Sequence, residues 1–309
     1  MNNISPKPSA TTDSHSSLLA AMTRSAKAVE AALDSVLPKP HGLHARVHDA
    51  MRYATFAGGK RLRPFLVQHS ARLFGVDDAR ALRAAAAIEV LHTYSLVHDD
   101  LPCMDDDDLR RGRPTTHIAF DEATAVLAGD ALLTVAFEIL ADPATHASAE
   151  VRCKLIARLA EASGSNGMIG GQMIDMQAPN RAFGPEEIML LQRLKTGQLF
   201  EFSCEAGAIL GERPDAERER MRLYARDMGL VFQITDDLLD VTSTAEKTGK
   251  AVGKDQDQGK ATLVSLMGIE GARSEAETLA KRAAEGLASY GPAAAELREL
   301  PMFLLDRDA

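Results

Sequence analysis

Apolar residues recur at intervals of three and four along almost the whole chain, the spacing of one helical face. Leu18, Met22, Val29, Leu33 and Val36 form the first such stripe, and Pro38 with Pro40 ends it. Val47, Met51 and Ala54 predict a second helix that stops at Gly58-Gly59, where a positive φ is cheap. A third begins near Pro64 and runs to about Gly75. Ala79 to Asp100, rich in Ala, Leu and Ile, reads as a long buried helix. Further helices are predicted around 122–141, 150–163, 168–177, 186–210, 215–240 and 262–290. The alternation of β-branched residues that strands need is missing, so the fold class is all-α. Two segments interrupt the pattern. Gly164–Gly171 carries glycines that allow close approach of a helix or ligand, and Lys247–Lys260 reads as a mobile lid. With no internal repeat and no Ser/Gly linker, residues 18–309 are expected to form one domain, preceded by a disordered polar tail at 1–17.

Composition narrows the function classes. An apolar share of 45% supports a large core, and no window reaches the apolar length expected of a membrane span. The first residues, polar and rich in Ser, Thr and Pro, do not resemble a secretory leader. Cys103, Cys153 and Cys204 show no pairing pattern, which suits a reducing cytoplasm. A net charge of −9 argues against a nucleic-acid partner. It leaves room for anionic small molecules, because carboxylates bind phosphates through bridging Mg²⁺.

The acidic residues are concentrated. Between Asp99 and Asp108 six carboxylates fall within ten residues, at the end of a nearly uncharged helix, and Arg110-Arg111 follow. Taken alone, such a run describes a solvated acidic turn more readily than a metal site. It lacks the glycine an EF-hand loop needs. An unbroken helix would turn Asp105 away from Asp99; Pro102 releases the chain from that geometry, and something must bring Asp105 back. The second cluster is Asp236-Asp237-Leu238-Leu239-Asp240. Asp236 and Asp240, four apart, share a helix face and one prospective metal site, while Asp237 points elsewhere as an outer ligand. Carboxylates at a helix C-terminus oppose the dipole, and the neighbouring leucines suggest burial, so metal ligation is favoured.

Three cations in four residues, Lys60, Arg61 and Arg63, lie between a Gly pair and Pro64. They compensate a helix end or form a metal-free anion site. His92 lies seven residues before Asp99, about 10.5 Å along one helix face, and is either a core histidine or part of that anion site. Lys195-Thr196-Gly197 predicts a kink inside a continuous helix, exposing carbonyls that can face a developing cation.

With GGKRLRP, DDLPCMDDDDLRRGRPT, GGQMID, KTG and FQITDDLLD assembled over nearly all of residues 45–265, the chain resembles the isoprenyl diphosphate synthase family, of the bacterial farnesyl diphosphate synthase type. The resemblance implies an all-α bundle of about ten or more helices around a deep cavity, a homodimer, and three Mg²⁺ per site with substrate bound. It assigns Asp99, Asp100, Asp105 and Asp236 to Mg²⁺ on the allylic diphosphate, with Asp240 helping from outside. Arg110, Lys195 and Lys250 would hold the same diphosphate; Lys60, Arg63, His92 and Arg111 would hold isopentenyl diphosphate. Thr196 and Gln233 would face the allylic chain. The implied reaction is ionisation, condensation and elimination, with no protein nucleophile. Tyr94, with small Ser95 beside it, lies about 7.5 Å along the helix from Asp99 and would floor the hydrocarbon pocket at fifteen carbons.

Rival readings differ in these residues. A geranylgeranyl synthase would differ only in pocket depth. A terpene cyclase has no need of GGKRLRP, and a non-catalytic synthase subunit tends to lose aspartates that are all present here. Which of the lid lysines, Lys250, Lys254 or Lys260, meets diphosphate is left open.

Overall fold

The structure, a computed structural model, describes residues 10–178, 183–242 and 262–306. Helix α1 runs from Ala10 to Val36, α2 from Ala45 to Thr55, α3 from Leu62 to Leu73 and α4 from Asp78 to Asp99. A two-residue hairpin, β1 (Leu109–Arg110) with β2 (Arg113–Pro114), precedes the short α5 (Thr116–Ala119). Then come α6 (Glu122–Ala141), α7 (Ala149–Ser163), α8 (Met168–Gln177) and α9 (Pro185–Gln192). A π-helical turn, Arg193–Gly197, joins α9 to α10 (Gln198–Leu210). α11 (Asp215–Thr242), α12 (Leu263–Gly286, bent at Gly268), a 3-10 segment (Ala288–Ala294) and α13 (Ala295–Leu305) complete the bundle.

The core follows from the apolar stripes. Alanines 84–87, Ile88, Val90 and Leu91 make α4 almost uncharged, and it is buried against α3, α6 and α10. A second apolar cluster joins α3 and α10 to α11, α12 and α13 through Phe65, Phe200, Met228 and Leu300. Where α10 meets α3, Gly207 is required: a Cβ there would stand 2.3 Å from the Ala71 backbone nitrogen. Two glutamates of α10, Glu201 and Glu205, are buried, and arginines face them. Arg158 reaches both at 3.4 and 2.8 Å, and Arg218 holds Glu205 at 2.8 Å. Removing either side would strand buried charge.

Several helix starts carry side-chain caps. Asp77 accepts from the Arg80 N–H at the head of α4, and Asp121 from Thr124 at the head of α6. Thr262 and Ser265 cap α12 reciprocally.

Several expectations need correction. Helix α1 starts at Ala10, inside the tail expected to be disordered, because extending an existing helix needs no new nucleus. Helix α6 alone among the described residues has the length and composition to cross a membrane, contrary to the absence expected. It packs on α2, α4 and α7, and Val126 and Leu127 point outward, 40% and 59% exposed. The hairpin was unforeseen because each strand has only two residues. The lid at Lys247–Lys260, with Lys250, Lys254 and Lys260, lies outside the described residues.

Candidate active site

Asp99 closes α4, and the next turns decide where its neighbours go. The Asp105 N–H donates to the Asp99 carbonyl at 2.8 Å, while Met104 and Asp106 donate to Leu101. Asp106 takes a left-handed φ of 51°, which Asp tolerates better than most residues. This turn returns Asp105 to the side of Asp99. Burial pushes the Asp99 carboxyl up to about 6; Lys195 opposes that, and the Asp105 charge adds to it. A half-buried carboxylate pair repelled in this way is matched to an added cation, and hard oxygen donors suit Mg²⁺.

Asp100, the next residue, is buried and turned elsewhere. Its carboxylate takes the Arg110 Nε at 2.7 and 2.9 Å and Nη2 at 2.5 Å. Burial raises the Asp100 pKa, and the Arg110 hydrogen bond pulls against it. The structure thus puts two predicted ligands, Asp100 for metal and Arg110 for diphosphate, into one bidentate ion pair.

Lys195 sits on the π turn, where the Gln198 N–H reaches back five residues to the Arg193 carbonyl. The predicted kink therefore takes the form of a widened turn. Gly171 of α8 lies against it: a Cβ there would stand 2.2 Å from the Lys195 backbone nitrogen. Only glycine admits α8 so close. That contact brings Asp175 to 2.6 Å from the Lys195 Nζ. Burial works against the ammonium charge, but Asp175, then Asp99 and Asp105, raise its pKa overall. Lys195 is a fixed cation between two acidic groups.

The Thr196 hydroxyl, on the π turn, donates to the Oε1 of Gln233 on α11 at 3.4 Å, and the Gln233 amide donates to Asp237 at 2.8 Å. Asp237 also accepts the Leu263 N–H at 3.1 Å, so it ties α11 to the start of α12. It is buried. Asp236 and Asp240 are half-buried. A solvent-open cleft of about 560 Å³ is lined by Asp175, Lys195, Thr196, Gln233, Asp237 and Thr262.

The basic cluster divides. Arg61, with φ 48°, turns inward to Glu89 at 2.6 Å and the Thr55 carbonyl at 2.7 Å, leaving the anion site to its neighbours. Arg63 lies 4.7 Å over the Phe200 ring and 3.4 Å from the His92 Nε2. Burial lowers its pKa to about 10, while the charges of Glu89 and Asp236 hold it up. Burial first, then Arg63, Arg111 and Arg110, press the His92 pKa well down, so the ring is neutral. Arg111 sits in the hairpin turn with Gly112, φ 53° and 72°, and donates to the Gly58 carbonyl. A Cβ on Gly59 would meet that guanidinium at 2.5 Å. Lys60 is exposed beside it. A second, narrow cleft runs between α4 and the hairpin, past Glu89, Thr93, Asp100, Arg110 and Arg111.

Tyr94 is 6% exposed and meets the His98 ring edge-on at 5.4 Å; burial pushes its phenol up to about 12. Ser95 is buried and donates to the His92 carbonyl. Sequence reasoning passed over Asp175 and Glu89. Asp175 stood inside GGQMID without a role, and Glu89 was hidden as a lone acid in an apolar helix. Gln172, one turn before Asp175, was also passed over, and both its amide atoms are buried without a hydrogen-bond partner.

The family described as Polyprenyl synthetase matches residues 44–292. The farnesyl diphosphate synthase of Bacillus subtilis is 46% identical over 235 residues, 76% of this chain and 79% of that protein. Geranylgeranyl pyrophosphate synthase 9 of Arabidopsis thaliana, a chloroplastic protein, is 44% identical over 279 residues, 89% of this chain and 77% of that one. Among solved structures, an FPP/GFPP synthase from Zymomonas mobilis superposes with a TM-score of 0.85 at 47% identity, covering 94% of this chain and 99% of that one.

Proposed function

The chain belongs to the polyprenyl synthetase family and is an enzyme of the prenyltransferase class, and from that premise we propose that it makes farnesyl diphosphate. It would condense isopentenyl diphosphate with dimethylallyl and then geranyl diphosphate. One observation carries the reading: the site holds two anion-binding chemistries side by side. Asp99 and Asp105 form an acidic pair suited to metal, next to Lys195, and a separate group of Arg63, Arg111 and neutral His92 needs no metal. Two diphosphates bound in different ways are what a chain-lengthening reaction requires.

Asp99, Asp105 and Asp236 would hold three Mg²⁺ with the allylic diphosphate, with Asp240 behind them. The ions supply the charge that lets the diphosphate depart. Lys195, oriented by Asp175, adds a cation at the leaving oxygens, and Arg110, paired with Asp100, is the second cation whose charge acts on Asp99. Lys250 is assigned the same substrate. Thr196 and Gln233 turn their oxygens toward the allylic cation left behind. Lys60, Arg63, His92 and Arg111 hold isopentenyl diphosphate so that its double bond faces that cation. The new bond forms from the π electrons, and the proton lost next goes to the released diphosphate. Water must be excluded throughout, because it would capture the cation.

Tyr94 with Ser95 sets the floor of the hydrocarbon pocket, which supports the fifteen-carbon product. A twenty-carbon product is the second reading, favoured by the name of the Arabidopsis relative. We read the outward apolar side of α6 as the contact of a homodimer, and the cytoplasm as its compartment. The test of the metal assignment is Asp99→Ala and Asp236→Ala. Each is expected to lose essentially all turnover while keeping the helical circular dichroism; activity retained in either overturns the assignment.

A further inference from the structure

Three histidines outside the active site converge where α1 passes into α2. His41 lies in the connecting loop, His44 caps α2 and His48 follows one turn later. Gly42, with φ 65°, reverses the chain so that the His41 ring comes over the other two. Ring centroids are 4.8 to 5.3 Å apart, and one nitrogen from each ring lies within 4.8 Å of the others.

Their hydrogen bonding is that of ligands. The His41 Nδ1–H donates to the Lys39 carbonyl at 2.9 Å, which leaves Nε2 as a lone pair in the neutral ring. The His48 Nδ1 is buried and has no hydrogen-bond partner. The nearest cations by sequence are engaged elsewhere, Lys39 with Asp34 and Arg46 with Asp121, both at 2.6 Å. Nitrogen ligands at a tetrahedral zinc stand about 3.3 Å apart. Ring rotations close the gap: His44 is exposed, and His41, also exposed, can turn while keeping its Nδ1–H on the Lys39 carbonyl.

We propose that His41, His44 and His48 form a second metal site, for a borderline transition ion such as Zn²⁺, with water in the fourth position. Imidazole selects such ions over Mg²⁺, so this site and the aspartates prefer different metals. Bound metal would clip the loop onto α2, the helix that leads to the GGKRLRP segment.

The test is Zn²⁺ titration by calorimetry on full-length, tag-free enzyme in a large excess of Mg²⁺, which keeps the aspartates occupied. One equivalent is expected to bind, with a rise in Tm of roughly 5 °C at a hundredfold excess over Kd. His44→Ala and His41→Ala, both at exposed positions, are expected to weaken uptake at least tenfold and to spare prenyl transfer. Asp99→Ala is expected to leave uptake unchanged. Substituting Co²⁺ should give the visible absorption of a four-coordinate centre, lost in His44→Ala. No Zn²⁺ uptake, uptake unchanged in both histidine variants, or uptake lost in Asp99→Ala would overturn the proposal.

Discussion

Replacing Tyr94 by Ala is expected to lengthen the product. The ring is 6% exposed and packed edge-on against His98, about 7.5 Å along α4 from Asp99. In the proposed reading, a hydrocarbon chain growing away from the aspartates along this helix would meet it. Each added isoprene unit buries five carbons, worth about 4 kcal/mol at ~0.8 kcal/mol per methylene. That gain is out of reach while the ring fills the space. If only a third of it is realised after truncation, ~1.4 kcal/mol, the partition between release and another condensation shifts about tenfold. The assay is product analysis by mass after dephosphorylation, with wild type and variant at equal turnover. Twenty-carbon and longer alcohols are expected to dominate for Tyr94→Ala. Losing a buried aromatic also costs about 3–5 kcal/mol of stability, so a thermal melt must accompany the assay. Tyr94→Phe keeps the ring and is expected to keep the product. A folded Tyr94→Ala enzyme with the wild-type product distribution would refute the reasoning.

Two further predictions follow from buried charge. Glu89→Ala leaves the 4% exposed Arg61 with only the Thr55 carbonyl at 2.7 Å and Glu30 at 3.8 Å. It is expected to cost about 3 kcal/mol in denaturant unfolding and to raise KM for isopentenyl diphosphate more than for the allylic substrate, because Arg61 anchors the segment carrying Arg63. An equal change in both KM values would count against that anchoring role. His69, stacked on Phe65 and bonded through Nδ1 to the Phe65 carbonyl, has its pKa lowered by burial. With the folded value below the unfolded one of about 6.5, the unfolded chain binds the extra proton. Its contribution is complete above that pH and is lost as pH falls through it toward the folded value. Unfolding free energies for His69→Leu are therefore expected to fall less steeply below pH 6.5 than those of wild type; identical slopes would contradict this.

The helices were legible because most of them bury one continuous stripe. The Ala79–Asp100 expectation matches α4 within a residue at each end, and Thr196-Gly197 marked the π turn that carries Lys195. What the sequence concealed depends on contacts between distant segments. The return of Asp105 rests on one hydrogen bond to the Asp99 carbonyl and a left-handed Asp106. The split of the basic cluster rests on Glu89 of the neighbouring helix α4, 28 residues along the chain, which claims Arg61. The pairing of Asp100 with Arg110 depends on a hairpin too short to leave a pattern. Helix α13, beyond Pro292, also went unseen, because an Ala-rich stretch after a Gly-Pro break carries little periodic signal.

The central claim, two diphosphates joined at one site, is tested most directly by incubating the purified protein with Mg²⁺, isopentenyl diphosphate and dimethylallyl diphosphate. The products are then dephosphorylated and identified by mass. Farnesol as the main alcohol is the predicted result. Geranylgeraniol would keep the condensation and move the pocket floor away from Tyr94. No elongation of dimethylallyl, geranyl or farnesyl diphosphate would contradict the account.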